Sequence, residues 1–182
     1  MRTWPSWISL LLVLFAAELD RPALSHPQSV TYESSPAAAA QRVADIHGGA
    51  GPWAVAGYRM GLRALKELDL LSPTPHTSMN RFAVEVIHES PREIQFTSVV
   101  DGLHAGTGAS LGKMNLKWVE VGSLADMRSL VIHKESGRRV EFRVLPTFLE
   151  KYRDLPREAL AAAGQQVLQL ADEEIFTVTI SP

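Results

Sequence analysis

Apolar residues recur along this chain with two different spacings, which predict helices first and strands later. Between Trp53 and Leu70 they return at steps of three and four residues, as is typical of a long amphipathic helix. Upstream, Ser35 and Pro36 precede AAAAQRVADI, a run of helix formers with a serine cap and a proline at the first helical position. This shorter helix should end near His47, because two glycines follow it.

The second half of the chain alternates between apolar and polar residues with a period of two, as strands do. Residues 95–102 are ambiguous and are assigned to a strand leading into a helix. Pro156 opens a further helix that reaches about Ala171. His88 and His133 fall on strands, at surface or edge positions. The predicted strands comprise residues 81–89, 116–121, 128–134, 138–145 and 175–180.

These elements predict an α+β fold rather than a parallel α/β fold, because helices and strands are partly segregated along the chain. The N-terminal helices would pack on a mixed or antiparallel sheet, with a helix and a short strand at the C-terminal end. Residues 128–134 and 138–145 are separated by Glu135-Ser136-Gly137 and should form a hairpin. Residues 36–182 are predicted to be one domain.

The first 35 residues have the composition of a targeting segment and a linker. Trp7 to Ala17 is almost entirely apolar, but it is too short for the roughly 20 residues of a membrane-spanning helix. We therefore expect residues 1–25 to be a secretory signal peptide, cleaved after Ser25 or, alternatively, after Ala17. An uncleaved N-terminal anchor is the other interpretation. Residues 26–35 are polar and unpatterned, as in a linker, and the mature protein would be periplasmic or secreted, without membrane attachment.

Charge and cysteine content exclude several classes of partner and cofactor. The net charge is -2, so no basic excess attracts nucleic acid or an anionic membrane. The chain has no cysteine, so it cannot by itself hold an iron–sulfur cluster or a thiolate zinc site. We find no H-E-x-x-H motif, no paired carboxylates in an acid–base arrangement and no support for serine-hydrolase chemistry, so a non-catalytic role is favoured.

The glycine-rich turn at residues 106–115, GTGASLGKMN, comes close to the P-loop pattern G-x-x-x-x-G-K-[ST]. Gly106 and Gly112 are six rather than five residues apart, and Met114 replaces the hydroxyl residue that would bind Mg²⁺. No clean βαβ unit is predicted around the turn. A phosphate cradle needs a strand, then glycines, then a helix N-terminus, so nucleotide binding is not supported.

A second glycine-rich stretch, residues 46–61, reads IHGGAGPWAVAGYRMG. Gly57 and Gly61 lie four apart on one helix face, where they would let another backbone pack closely. The stretch resembles the motif HGHxCPGxxxGYRxG of the formylmethanofuran dehydrogenase FmdE domain family. Residues 98–116, SVVDGLHAGTGASLGKMNL, resemble that family's C-x-V-D-A-I-Q-x-x-T-G-C-T-x-G-K-x-N-L. The resemblance covers about residues 38–150, with both motifs in the family's order.

The resemblance implies a transition-metal site, commonly zinc, built from the histidine and the cysteines of the two motifs. His47 matches the first histidine, but Gly51, Ser98 and Ala109 stand where the family has cysteine. His104 replaces the family's glutamine. The matching positions are Asp101, Thr107, Gly108, Gly112, Lys113 and Asn115.

Two interpretations of the metal site stay open. In the first, His47 and His104, with Asp101 nearby, hold a zinc-like transition metal through two imidazoles and a carboxylate. In the second, the glycines keep only their role in backbone geometry, and the site binds no metal. The second is favoured, because every thiolate of the family pattern is missing.

The polar residues beside the glycine-rich turn also have two interpretations. Lys113 and Asn115, with Thr107 close by, either bind an anionic or carbonyl-bearing ligand, or serve the turn, with Asn115 closing it and Lys113 solvated. Arg59 either points into the pocket or pairs with an acid on a neighbouring element. The candidate ligand-binding residues are therefore Arg59, Asp101, Thr107, Lys113 and Asn115.

The sequence thus predicts an exported FmdE-like binding module with a pocket between its two glycine-rich motifs, which takes a transition metal or a small polar ligand. Two alternatives remain. The protein could be an accessory subunit of a redox enzyme complex, or a metal-dependent enzyme that uses His47 and His104. A protein partner or a homo-oligomer is compatible with all three.

Overall fold

The computed structural model describes residues 35–71 and 81–182, so the predicted signal peptide lies outside the described residues. Within these ranges, five α-helices and one five-stranded sheet form the predicted α+β fold. No described helix is both long and apolar enough to cross a membrane. The helices are α1 (Pro36–His47), α2 (Pro52–Glu67), α3 (Ile94–Thr107), α4 (Pro146–Tyr152) and α5 (Leu160–Gln169). The strands are β1 (Val84–Ser90), β2 (Leu116–Glu120), β3 (Arg128–His133), β4 (Arg139–Val144) and β5 (Phe176–Ser181).

The sheet is mixed and has the strand order β2-β1-β3-β4-β5. β1 and β2 are parallel and are joined through α3, whereas β3, β4 and β5 pair antiparallel. β3 and β4 form the predicted hairpin, in which Val131 lies opposite Val140. The β1–α3–β2 crossover is a βαβ unit that the sequence did not predict. The glycine-rich turn follows α3 in this unit, so it lies at a helix C-terminus and not at the N-terminus that a phosphate cradle requires.

The prediction of a strand within residues 95–102 is wrong, because the whole segment belongs to α3. Its β-branched residues, Thr97, Val99 and Val100, imitate the composition of a strand. The buried positions nevertheless follow a helix, since Phe96, Val99 and Leu103 are fully buried at helical spacing. Tertiary packing therefore overrides the local preference here.

The structure confirms the two predicted N-terminal helices, with bounds close to those expected. The Ser35 hydroxyl accepts a hydrogen bond from the Ala38 amide at 3.2 Å, which caps α1. Gly48 ends this helix with a left-handed φ of 84°, a conformation that glycine adopts without strain. α2 begins one residue earlier than predicted, at Pro52, and ends at Glu67, three residues earlier.

Glycines allow α2 and α3 to cross with their backbones in contact. A Cβ atom added at Gly57 would lie 2.2 Å from the Val99 carbonyl oxygen, and one at Gly102 would lie 1.9 Å from the Ala54 carbonyl oxygen. One added at Gly106 would lie 2.5 Å from a third carbonyl oxygen, again on α2. The close approach predicted for the first glycine-rich stretch is therefore confirmed, and its partner is another helix of the same protein.

Trp53 belongs to the core between these helices and the sheet. Its indole makes edge-to-face contacts with Phe96 at 5.0 Å and with Phe148 at 5.3 Å between ring centroids. The indole Nε1 donates a hydrogen bond to the Tyr152 carbonyl oxygen at 3.0 Å. Trp53 thus joins α2, α3 and the short helix α4, which the sequence analysis did not predict.

The prediction that His88 lies at a surface or edge position is wrong. His88 is only 1% exposed in a central strand. Its Nε2 donates to the Phe96 carbonyl oxygen at 3.1 Å, and its Nδ1 lies 2.8 Å from the Ser129 hydroxyl. Burial lowers the pKa of His88 to about 4, so the ring is neutral at physiological pH.

The C-terminal region follows the predicted order with shifted boundaries. α5 begins at Leu160, after a short 3₁₀ turn at Arg157–Ala159, rather than at Pro156. β5 pairs with β4 at the edge of the sheet. α5 also packs closely on the first glycine-rich stretch, because a Cβ atom added at Gly164 would lie 1.7 Å from the Ala50 carbonyl oxygen.

Candidate functional site

His47 and Asp101, one from each family-like motif, meet in the folded protein. His47 is the last residue of α1, and its Nδ1 lies 2.9 Å from Asp101 Oδ2 on α3. Both side chains are partly exposed. The carboxylate fixes the orientation of the imidazole and leaves its Nε2 without a protein partner among the described residues.

A cavity of about 510 Å³ opens beside His47, where the N-terminal ends of α2 and α3 come together. The first motif contributes Gly51 and the start of α2, and the second contributes Ser98. Leu155 and Leu160 add apolar surface to the lining. The cavity therefore lies between the two motifs, but at the beginning of α3. The glycine-rich turn lies at the other end of α3. The length of this helix separates the turn from the cavity by about 20 Å.

Tyr152 lines this cavity, whose wall is mostly apolar. The residue is 2% exposed, and its hydroxyl makes no hydrogen bond within the described part of the chain. Nearby, Gly51 and Glu93 occupy the positions before α2 and α3, and neither helix has a side-chain cap. Tyr152 and two helix N-termini that carry partial positive charge therefore line the cavity.

The residues present do not fit the metal site that the family resemblance implies. Gly51 and Ala109 have no side-chain atom that could bind a metal. The Ser98 hydroxyl donates a hydrogen bond to the Ile94 carbonyl oxygen at 2.7 Å. The described residues contain no group of three histidine, aspartate or glutamate side chains that could hold a metal. The metal role of His47 and His104 stays a prediction.

His104 lies one turn beyond Asp101 on α3 and is half-buried. Its pKa is lowered, first by burial and then by the positive charge of Lys113; Asp101 opposes this, while Arg42 and Arg81 add to it. His104 is therefore surrounded mainly by cations. The lowered pKa favours the neutral form of the His104 imidazole. The positive charges around it, however, disfavour the binding of a metal cation.

Asn115 and Thr107 use their polar atoms within the protein. The fully buried Asn115 accepts a hydrogen bond from the Ser110 amide at 3.0 Å and donates to the carbonyl oxygens of Arg81 and Val84 at 2.9 Å. Thr107 donates to a carbonyl oxygen in the preceding turn at 2.6 Å. Asn115 thus closes the turn and connects it to the start of β1. Of the two interpretations, the geometry agrees with a role in the turn.

Arg59 is also engaged internally. Its guanidinium donates to the Val167 and Leu170 carbonyl oxygens and lies 2.6 Å from Asp172 Oδ1. It therefore caps the C-terminal end of α5 and pairs with an acid on a neighbouring element. No ligand-binding role follows from this geometry, and that role stays a prediction for Arg59, as it does for Thr107 and Asn115.

Sequence reasoning missed several features of the site. Tyr152 and Leu155 lie outside both motifs, and only the packing of α4 brings them to the cavity. GASLG, at Gly108–Gly112, has the G-x-S-x-G spacing of a nucleophile elbow, which the sequence analysis overlooked. The structure does not place it on a strand-to-helix turn; Ser110 instead caps a 3₁₀ turn at Leu111–Lys113.

The fold defines this chain as an α+β protein, and both motifs contribute residues to one cavity at the start of α2 and α3. The family model described as "FmdE, Molybdenum formylmethanofuran dehydrogenase operon" matches residues 46–177. The chain therefore belongs to the FmdE family, as the two motifs indicate. No curated protein matches the chain significantly.

Proposed function

We propose that this FmdE-domain protein is a binding module whose cavity beside His47 takes a small molecule with an apolar body and a carbonyl or carboxylate group. The observation that carries the proposal is that Tyr152, whose buried hydroxyl has no hydrogen-bond partner among the described residues, lines this cavity. Leaving a buried hydroxyl unpaired costs about 1–3 kcal/mol, and a bound acceptor group would recover part of this cost.

The other groups around the cavity support the same ligand chemistry. The amide groups in the first turns of α2, after Pro52, and of α3 have no side-chain cap, and they present N–H donors and partial positive charge. The apolar wall, which includes Pro52, Leu155 and Leu160, suits the body of a small organic molecule. An acceptor at the helix ends and an apolar body against the leucines would use both features at once.

We expect benzamide and benzoate to bind the purified chain, and toluene, which lacks an acceptor, to bind about tenfold more weakly. An NMR titration measures all three. Gly51→Leu should fill the cavity and abolish binding, because φ is −73° there and an added Cβ would meet only Leu160, at 4.0 Å. Gly49→Leu is the matched control, since a Cβ atom there meets nothing within 4 Å.

Tyr152→Phe tests the specific contact. This change should weaken the binding of benzamide but leave that of toluene unaltered. It should also leave the free energy of unfolding unchanged or raise it by about 1 kcal/mol, because an unpaired hydroxyl is removed. The proposal is wrong if no probe binds, or if Tyr152→Phe leaves the preference for benzamide over toluene intact.

An accessory-subunit role is the second candidate. The family description refers to an enzyme operon, and two apolar side chains after α3, Leu111 and Met114, are 76% and 87% exposed. Such side chains are suited to a contact with another protein. Binding of the probes by the isolated chain favours the binding module, whereas failure of all three favours the accessory role.

We further propose that residues 1–25 direct export and are then removed. The support is the apolar segment from Trp7 to Ala17, followed by Ala23-Leu24-Ser25, which suits a signal peptidase. When the full chain is expressed in a bacterium, the intact mass of the periplasmic protein should correspond to a chain beginning at His26. A cytoplasmic chain that keeps its first residues would contradict this proposal.

A further inference from the structure

We propose a second binding site, for a doubly charged oxyanion of the phosphate type, where three cationic side chains surround the C-terminal end of α3. The cations are Arg42 from α1, Arg81 just before β1, and Lys113 from the 3₁₀ turn after α3. They are called the cation cluster below. The site is separate from the cavity beside His47 and does not depend on what that cavity binds.

Contacts with the last turn of α3 and the following turn hold the three cations in place. Arg42 Nε donates to a carbonyl oxygen in the last turn of α3 at 3.4 Å. The stem of Arg81 packs over Gly108, since a Cβ atom added to that glycine would lie 3.0 Å from Arg81 Cδ. Lys113 Nζ donates to Ser110 Oγ at 3.1 Å. The charge of each of the three also lowers the pKa of His104, so all three act electrostatically on this residue.

The cation cluster differs from the other partly buried cations of the protein. Seven lysine or arginine residues of the described ranges are half-buried. The three of the cluster form no ion pair within those ranges, whereas each of the other four lies within 4.0 Å of a carboxylate oxygen. These four are Arg59, Arg63, Arg128 and Arg138.

Nearby negative charge does not balance the cluster. The C-terminal end of a helix supplies about half a unit of negative charge, and Asp101 adds one unit that it shares with His47. The three full positive charges exceed the sum of these two negative contributions. Burial, followed by the charge of Arg42, lowers the pKa of Arg81, yet a guanidinium stays protonated in proteins. A bound dianion would remove this repulsion.

The cation cluster and the adjoining Ser110 also have hydrogen-bond donors without an acceptor among the described residues. Arg81 Nε is buried and has no hydrogen-bond partner among the described residues. The Ser110 hydroxyl accepts hydrogen bonds from both the amide and the ammonium of Lys113, so its own proton is left to be donated. A tetrahedral oxyanion has enough oxygen atoms to accept from a guanidinium, an ammonium and a hydroxyl together.

The test is a titration with inorganic phosphate and, separately, with glycerol 3-phosphate, at pH 7.5 and constant ionic strength. The ring resonances of His104 in the NMR spectrum report binding at this site. We expect a saturable shift with at least one of the two probes. Tighter binding of glycerol 3-phosphate would assign the site to phosphate esters, and equal or tighter binding of inorganic phosphate would assign it to the free ion.

Arg81→Gln and Lys113→Gln should each weaken phosphate binding about tenfold or more, as expected for the loss of a hydrogen bond to a charged group. Arg157→Gln and Lys134→Gln are the matched controls, because both residues are exposed and unpaired within the described ranges. Neither cluster variant should unfold at a lower temperature, since each removes an uncompensated charge. Absence of a saturable shift with both probes, or an equal loss in the control variants, would overturn the proposal.

Discussion

Gly102→Ala should lower the free energy of unfolding by about 3 kcal/mol or more, which is the upper end of the usual cost of overpacking. The added Cβ would lie 1.9 Å from the Ala54 carbonyl oxygen and 2.7 Å from the Tyr58 amide nitrogen. Both atoms belong to the backbone of α2, so neither can rotate away. The two helices would have to separate, and the cavity at their N-terminal ends would open with them. Chemical denaturation followed by circular dichroism measures the effect.

Gly112→Ala is the control for this prediction. A Cβ atom at Gly112 meets nothing within 4 Å, and the residue does not have a positive φ. We expect a change within about 0.5 kcal/mol, as for most surface substitutions. If Gly102→Ala were as mild as Gly112→Ala, the backbone contact between α2 and α3 would not be as close as described.

Lowering the pH from 6.5 to 4 should cost about 3 kcal/mol of stability through His88 alone. Burial lowers the pKa of this residue from 6.5 to about 4. Between these values the unfolded chain binds a proton that the folded chain does not, so the stabilisation is complete above pH 6.5 and declines as the pH falls toward 4. Urea denaturation at a series of pH values measures this slope.

His88→Gln isolates the contribution of His88, because the amide cannot titrate but retains hydrogen-bonding capacity toward Ser129 and Phe96. The Glu89 carboxylate also titrates in this part of the sheet. Its pKa is lowered by the hydrogen bond from Arg128, so its contribution is lost below the ordinary range of a glutamate. Comparing the native protein with the variant subtracts that effect. Parallel pH curves for the two proteins would show that His88 is not buried in the neutral form.

The sequence by itself determined those parts of the protein that depend on neighbouring residues. The cap of α1 at Ser35 and the β3–β4 hairpin follow from side chains within a few positions of one another. Membership of the FmdE family follows from two contiguous motifs, although their cysteines are absent. From the sequence alone, residues 95–102 are assigned in part to a strand because their β-branched side chains are also common in strands.

Only the tertiary structure decided which of these residues meet. His47 and Asp101 are 54 positions apart, and Tyr152 lines the cavity from a helix that no motif marks. The cation cluster joins α1, the start of β1 and the turn after α3, which are distant in the chain. Such contacts depend on how closely α2 and α3 approach each other and on what the sheet buries. A single sequence carries no local signal for either, since the energy of these contacts lies in packing between distant segments.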